Sequence, residues 1–374
     1  MKTSLSKIIE IKKGKKPISQ SKEKVAEQLP YVDIKAFETG IVDNYTDGKK
    51  CVPCEDGDLL IVCDGSRSGL IGKAIKGYVG STLARVDVPE FIEKDYLFYF
   101  IQGRYSQLNT NVKGTGTPHL NQELLKSFEI FLPELSEQQR IVERIEELFS
   151  QLDSAVETLQ KTKQQLAVYR QAVLKEAFDA IDELVPFGEI MVSRLGKMLD
   201  KEKNIGTPQK YLRNLNVRWF SFDLSDLLEM RIKDDEADKY TVTYGDLVIC
   251  EGGEPGRCAV WEKDEPFFYQ KALHRVRFKN NSNAKFYMYY LWLFAQTGQL
   301  KKYFTGSGIK HLTGESLVKI PVPNTNKSIQ DKVVNKIEER LSVCDNIEKT
   351  VDTALQQAEA MRQSILKKAF EGEL

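Results

Sequence analysis

The chain has 374 residues, and 54 Lys+Arg balance 54 Asp+Glu, so the formal charge is zero. A composition of 41% hydrophobic and 29% charged residues excludes collagen-like, largely disordered and disulfide-framework chains. Two or three domains fit this length, and neutrality argues against a uniformly basic nucleic-acid binder.

The N-terminal MKTSLSKIIEIKKGKK has no apolar stretch of signal-peptide length. Cys51 and Cys54 form a lone C-x-x-C with no second pair at zinc-site spacing, so two small residues near a strand are preferred over a metal or redox site. Residues 1–135 mix short β-rich runs such as GDLLIVC with Gly, Asp and Lys turns, followed by an apolar helix at 95–103. This pattern predicts an α/β module with a twisted sheet. From Ser136 to Phe178 there is neither Gly nor Pro, and Ile145, Leu152, Leu159, Leu166 and Val173 recur every seven residues. Leu148, Ala155, Thr162 and Tyr169 form a weaker companion series. Such a heptad predicts a long helix that supercoils against a partner, with Ser136 as its N-cap.

The second half repeats the first. Lys113–Leu125 (KGTGTPHLNQELL) matches Thr305–Leu317 (TGSGIKHLTGESL) at an offset of 192, and residues 114–178 share 23 of 65 identities with 306–370. Weaker matches run upstream: GDLLIVCDG at Gly57–Gly65 with GDLVICEGG at Gly245–Gly253, and STLARVDV with KALHRVRF. Residues 185–325 therefore predict a second α/β module, with KYTVTYGDLVIC and HRVRF as strands and an apolar helix at 284–297. FYMYYLWLFA, Phe286–Ala295, is the longest apolar run and falls short of the roughly 20 residues a membrane span needs. The expectation is a cytoplasmic protein without a membrane segment. Residues 326–374 predict the second helix, with Ile337, Cys344, Val351, Ala358 and Ile365 in the main heptad series, Ile347, Ala354 and Met361 in the companion series, and Ser328 as N-cap. Two helices in one chain supply both strands of an antiparallel pair, and 43 residues make a rod of roughly 65 Å.

The nearest stretch to a P-loop, Gly65–Ala74, has the wrong spacing, and neither G-x-G-x-x-G between strand and helix, H-E-x-x-H nor Pro-Pro occurs. His119, His274 and His311 are the three histidines, and His119 and His311 are repeat equivalents. They read as structural rather than catalytic. Divided by segment, the charge is +2 for 1–130, −5 for 131–185, +4 for 186–325 and −1 for 326–374. Positive modules and a negative helical region suit modules that meet a polyanion. In Tyr211–Phe220, Arg213, Asn214, Asn216, Arg218 and Trp219 carry forked donors and acceptors that suit base edges in the major groove. Lys35, Arg67, Lys73, Lys113, Lys271 and Lys310 are candidate phosphate contacts. Thr115 and Thr117 in GTGT and Ser307 in GSG offer hydroxyls beside exposed amides.

These residues resemble a known family. LPELSEQQRIVERIEELFSQLD with RQAVLKEAF, SIQDKVVNKIEERLSVCD with RQSILKKAFEGEL, GDLVICEGGEPGRCAVW, ALHRVRF, GSGIKHLTGESL and RLGKMLDKEKN…YLRNLNVRWFSFDLSDLLEM are similar to specificity subunits of type I restriction–modification systems. The resemblance covers essentially the whole chain. It implies an α/β (α+β) protein with target-recognition domains at 1–135 and 185–325 and conserved spacer helices at 136–184 and 326–374, antiparallel and related by a pseudo-two-fold repeat. It implies a non-catalytic subunit in which each module reads half of a bipartite, asymmetric double-stranded DNA target. The helices, through Ile145, Leu152, Leu159, Leu166, Val173, Ile337, Val351 and Ile365, pair, set the unread spacer and dock two DNA methyltransferase (modification) subunits. The resemblance also implies motor–nuclease (restriction) subunits that complete the complex. No cofactor or metal is expected in this chain. S-adenosylmethionine, ATP and Mg belong to the partners. The second helix departs from the family's pattern at its start, where Ile329 and Asp331 stand opposite Glu137 and Gln139. The rival readings are a stand-alone DNA methyltransferase or nuclease, and a non-enzymatic coiled-coil tether or regulator.

Overall fold

The structure, a computed structural model, describes residues 2–25, 27–114, 116–200 and 204–374. The chain divides into two compact units, Met1–Leu159 with Thr353–Leu374, and Gln160–Asp352. The divisions fall inside the two long helices, so each unit contains one module and a stretch of both helices.

In the first unit ten short strands run β1 (Lys2–Ser4), β2 (Glu10–Lys13), β3 (Leu29–Val32), β4 (Tyr45–Thr46), β5 (Pro53–Cys54), β6 (Leu59–Val62), β7 (Ile71–Lys73), β8 (Gly77–Val79), β9 (Leu83–Asp87) and β10 (Glu129–Phe131). They form sheets of order β2-β9-β6-β7, β4-β3-β8-β5 and β1-β10. β6 reads Leu-Leu-Ile-Val and is buried throughout, as a strand covered on both faces requires. Leu59 and Ile61 face one core cluster, and Leu60 and Val62 face the other, as the two-residue period dictates. The helices are α1 (Ile34–Thr39), α2 (Lys94–Gln102), α3 (Tyr105–Thr110), α4 (Gln122–Ser127) and α5 (Leu135–Phe178). The C-x-x-C residues are free thiols, with Cys54 buried and pushed up to about 11 by that burial.

The second unit repeats this plan strand for strand. β11 (Leu184–Pro186), β12 (Met191–Leu195), β13 (Thr207–Leu212), β14 (Leu228–Ile232), β15 (Thr241–Val242), β16 (Leu247–Cys250), β17 (Cys258–Val260), β18 (Phe267–Tyr269), β19 (Leu273–Phe278) and β20 (Pro321–Pro323) form sheets of order β12-β19-β16-β17, β14-β13-β18-β15 and β11-β20. Each unit has one parallel strand pair among its sheets, β3 with β8 and β13 with β18. α6 (Phe187–Ile190), α7 (Ala284–Gln296), α8 (Gly314–Leu317) and α9 (Lys327–Glu371) complete the chain. The duplication thus extends over modules whose sequences match only in fragments.

The long helices run antiparallel within each unit. In the second, Lys163 pairs with Asp352, Arg170 with Asp345 and Glu348, and Glu176 with Arg340 and Lys336. Arg340 and Lys336 hold the Glu176 carboxyl down at about 2. In the first, Asp153 pairs with Arg362, whose guanidinium lies 4.7 Å from the Phe149 ring centroid. The main heptad series faces the seam: Ile145, Leu152, Leu166, Val173, Ile337 and Val351 are buried, and Leu159 and Ile365 are half-buried. The companion series lies at the edge of the seam, with Leu148, Thr162 and Ala354 half-buried. Tyr169, Ile347 and Met361 are exposed. The companion positions are instead Val142, Phe149, Val156, Lys163 and Arg170 on α5, and Val334, Leu341, Glu348, Leu355 and Arg362 on α9. Charged residues in those seam positions mask the apolar period. Ser136 and Ser328 also lie one residue inside the first turn, and the cap of α9 is Asn326, whose Oδ1 accepts Ile329 N–H at 3.1 Å.

His274 on β19 is 1% exposed and donates from Nε2 to the Leu312 carbonyl at 2.8 Å. Burial pushes its pKa below the usual value, and the Leu312 bond opposes that only in part. The fold therefore disfavours the imidazolium. Its contribution to stability is complete above the unfolded pKa of about 6.5 and is lost as pH falls from there toward the lower folded value. Between pH 7.5 and 5.5 the wild type should lose more stability than His274→Gln, by at most about 1.4 kcal/mol per pH unit below 6.5. Urea titration at the two pH values reads this difference, and equal losses would contradict it.

Candidate nucleic-acid interface

In the first unit the loops 64–69 and 113–119 are knit together. Gly65 N donates to Pro118 O at 2.8 Å, Leu120 N to Cys63 O at 2.7 Å, and the buried Ser68 hydroxyl to Pro118 O at 3.2 Å. His119 Nδ1 lies 2.7 Å from Asp64 Oδ1, and Lys13 Nζ lies 2.9 Å from Asp64 Oδ2. Burial opposes ionisation of Asp64, but Lys13 and His119 hold its carboxyl below the usual carboxylate range. Arg67, on the same loop, pairs with Glu38 of α1. Lys113 pairs with Glu123 at 2.7 Å, and Thr117 is exposed on the same loop. Thr115 lies outside the described residues. Lys73 turns instead to Asp95 (2.6 Å) and the Phe98 ring on α2, and Lys35 pairs with Asp43 at 2.5 Å.

In the second unit the equivalent loops, 251–257 and 305–311, meet through Leu312 N to Glu251 O at 2.7 Å. The His311 ring abuts Gly252, where a Cβ would stand 3.1 Å from Nδ1. The repeat thus places an imidazole at both loop junctions and a carboxylate, Asp64, at one. The 213–220 segment leans on the same place. Asn214 Nδ2 donates to Gly252 O at 2.8 Å, and Trp219 Nε1 to Glu254 Oε1 at 2.9 Å. Ser307 and Lys310 are exposed on the adjoining loop, and Lys310 Nζ donates to Gly306 O at 2.7 Å. Lys271 is exposed and enters no ion pair among the described residues.

Four of the five base-reading candidates, Arg213, Asn214, Asn216 and Trp219, are occupied. Asn216 is 2% exposed. Its Oδ1 accepts Arg213 N–H at 2.8 Å, and its Nδ2 donates to Asp223 O and Asp226 O at 2.9 Å. It therefore closes the turn. Arg213 is half-buried against Asp226, at 2.6 Å. Arg218 is the group left facing out, 48% exposed and only loosely paired with Asp223 at 3.6 Å. Leu215, 58% exposed, adds an apolar tip. The pattern of Arg and Asn in one decapeptide cannot separate turn-closing amides from presented ones, because both use the same hydrogen-bonding chemistry.

Glu254, Glu38 and Asp64 went unnoticed in the sequence because acids are not expected at a polyanion surface. Six of the eight candidate cations, Lys35, Arg67, Lys73, Lys113, Arg213 and Arg218, sit beside a carboxylate. Exposed pairs of this kind are worth about 0–1 kcal/mol, so exchange of a carboxylate for a phosphate costs little. A second unnoticed feature is the pair Gln138 and Gln330, each 1% exposed and 192 residues apart. Gln138 Oε1 accepts Glu93 N–H at 2.9 Å, and Gln330 Oε1 accepts Asn283 N–H at 2.8 Å. Each glutamine fastens a long helix to the N-terminus of the module's apolar helix, α2 or α7. Their signal was identity at the repeat offset.

No helix among the described residues is long and apolar enough to cross a membrane. Residues 1–167 and 190–357 each match the family model for the type I restriction modification DNA specificity domain. The chain is 25% identical over 396 residues to the type I restriction enzyme MjaVIII specificity subunit of Methanocaldococcus jannaschii, covering 97% of this chain and 90% of that protein. It is 22% identical over 347 residues to the EcoKI specificity subunit of Escherichia coli K12, covering 85% and 75%. A structure from work on complex assembly and conformational transition of the type I R-M system aligns with a TM-score of 0.79 at 16% identity, over 100% of this chain and 98% of that one. The HsdS subunit from Thermoanaerobacter tengcongensis aligns at 0.61 and 17% identity, over 100% and 97%.

Proposed function

This chain belongs to the family of type I restriction–modification DNA specificity subunits, and from that premise we propose that it reads a bipartite, asymmetric double-stranded DNA target, one half per module. The observation that carries this reading is the doubled loop junction, 64–69 with 113–119 and 251–257 with 305–311, rebuilt on the same ten-strand plan with different side chains. One plan with two sets of loop residues suits two different half-sites on one duplex. Joining two weak recognitions through one chain makes the second effectively intramolecular, which raises both affinity and selectivity.

The reading assigns no bond-making chemistry to this chain. Methyl transfer from S-adenosylmethionine to adenine falls to two modification subunits, and ATP- and Mg-dependent translocation and cleavage fall to restriction subunits. The paired helices dock the modification subunits and fix the unread spacer. Because the chain carries no net positive charge, it binds DNA weakly alone, and the partners supply much of the counter-charge. Arg218, Lys271, Ser307 and Lys310 of the second module and Arg67, Lys113, Thr115 and Thr117 of the first are the contacts we favour. Asn214 and Trp219 serve them by holding the segment in place.

Co-expression with a cognate methyltransferase should place N6-methyladenine at one motif of two short blocks separated by a fixed unread gap. Single-molecule sequencing of the host genome reads it. Methylation without a motif, or methylation or cleavage by the purified single chain, would contradict the assignment.

A further inference from the structure

In each unit the segment after the third strand is tied to the loop after the sixth by a side-chain bridge, and the polarity of that bridge is reversed between units. In the first unit the acid lies on the segment after β3: Glu38 of α1 meets Arg67 of the 64–69 loop. In the second the acid lies on the loop after β16. Glu254 accepts Trp219 Nε1–H at 2.9 Å on one oxygen and Arg257 Nη1–H at 2.7 Å on the other. Arg257 returns Nη2 to the Asn214 carbonyl at 2.9 Å.

The bridging residues are not repeat equivalents. The match of Gly57–Gly65 with Gly245–Gly253 puts Ser66 opposite Glu254 and Arg67 opposite Pro255. The same link has therefore been built twice with unrelated side chains, so it is the link itself that the fold holds. The segments are also pinned at their ends. Asp33 Oδ1 accepts Ala36 N–H at 2.9 Å and starts α1. Phe220 closes the 213–220 segment at φ +69°, with its ring 4.7 Å from that of Trp292. Phe220 and Ala36 are fixed by core packing, and the stretch between the pins is steadied by the bridge.

Resting on the reading that these loops face DNA, we propose that Glu254 and the Glu38–Arg67 pair act as one latch per half-site. Each is a specificity-determining positioning element that holds the segment after the third strand in one orientation toward the base edges. In the second unit the latch aims Arg218, the neighbour of Trp219. Glu38 and Glu254 need not touch DNA to act this way. A solvated ion pair biases a loop equilibrium by about two- to fivefold, and two spanning hydrogen bonds, Trp219 to Glu254 and Arg257 to the Asn214 carbonyl, by about tenfold.

The test uses the full chain in complex with its methyltransferase and plasmid libraries in which one half-site at a time is randomised. The readout is the ratio of methylation at the preferred sequence to that at single mismatches. Glu254→Ala should lower that ratio about tenfold at one half-site and leave the other unchanged, and Glu254→Gln, which keeps an acceptor for Trp219, should lower it less. Glu38→Ala should lower it about two- to fivefold at the opposite half-site, and Glu38→Gln, which keeps an acceptor for Arg67, should lower it less. Unchanged ratios in both alanine variants overturn the proposal. So does a fall at both half-sites from either single change, because that is the signature of a damaged complex. Motif-free methylation by the wild-type complex overturns the DNA-reading assignment and the latch together, before any variant is compared.

Discussion

Gln330→Leu should destabilise the second unit by about 2–5 kcal/mol, although leucine is of similar size and the site is buried. The glutamine makes three bonds there: Oε1 accepts Asn283 N–H at 2.8 Å, and Nε2 donates to Thr325 O at 2.9 Å and to Tyr287 Oη at 3.1 Å. Leucine leaves the Asn283 amide and the Thr325 carbonyl of these half-buried residues without their partner, and a group so stranded costs about 1–3 kcal/mol. The Tyr287 hydroxyl loses only a donor and can rotate. The helix joined at this point is α7, whose Phe286, Tyr287 and Leu291 are fully buried in the unit's largest core cluster. Lys332→Ala, at an exposed position on α9 in the same unit, should change stability by less than about 0.5 kcal/mol. Trp219, Trp261 and Trp292 are the three tryptophans of the chain and all lie in the second unit, so urea titration followed by tryptophan fluorescence reads it alone. Equal midpoints for Gln330→Leu and the wild type would show that the junction is carried by apolar contact instead.

Much of this architecture was legible before the fold. The Gly-and-Pro-free stretch from Ser136 marks α5, and the seven-residue recurrence through Ile145 and Val173 marks its buried face. The repeat offset of 192 also relates the buried Gln138 and Gln330. The companion heptad series was misplaced by one residue because Lys163, Arg170, Glu348 and Arg362 occupy seam positions, where ion pairs and stacked stems replace apolar side chains. The modules were legible only as β-rich. Strands of two to six residues carry too little periodicity to fix their pairing, and the parallel pairing of β13 with β18 joins residues far apart in sequence. At the interface, a polar decapeptide such as Tyr211–Phe220 displays its hydrogen-bonding groups without showing which are spent internally. Asn216 is spent on the turn and Asn214 on Gly252, whereas Arg218 is not.

Exchanging residues 185–325 for the same segment of another family member should rewrite one half of the recognised motif. That segment contains the 213–220, 251–257 and 305–311 loops and none of the loops of the first unit. Each base pair re-specified should shift preference by about 1–3 kcal/mol, a factor of about 5 to 150. The graft must preserve its seat on α9. Asn283 and Tyr287 meet Gln330, and Lys285 bridges Glu262 and Glu338 at 2.9 Å to each. A donor whose α7 start cannot meet Gln330 should fail by unfolding, which urea titration followed by circular dichroism separates from a change of specificity.

The measurement that bears most directly on two modules reading two half-sites is therefore the methylome of cells carrying this exchanged chain with its methyltransferase. The expected result is a motif with one half replaced, the other half intact and the same unread gap. Replacement of both halves, or an unaltered motif from a folded and active complex, would contradict it.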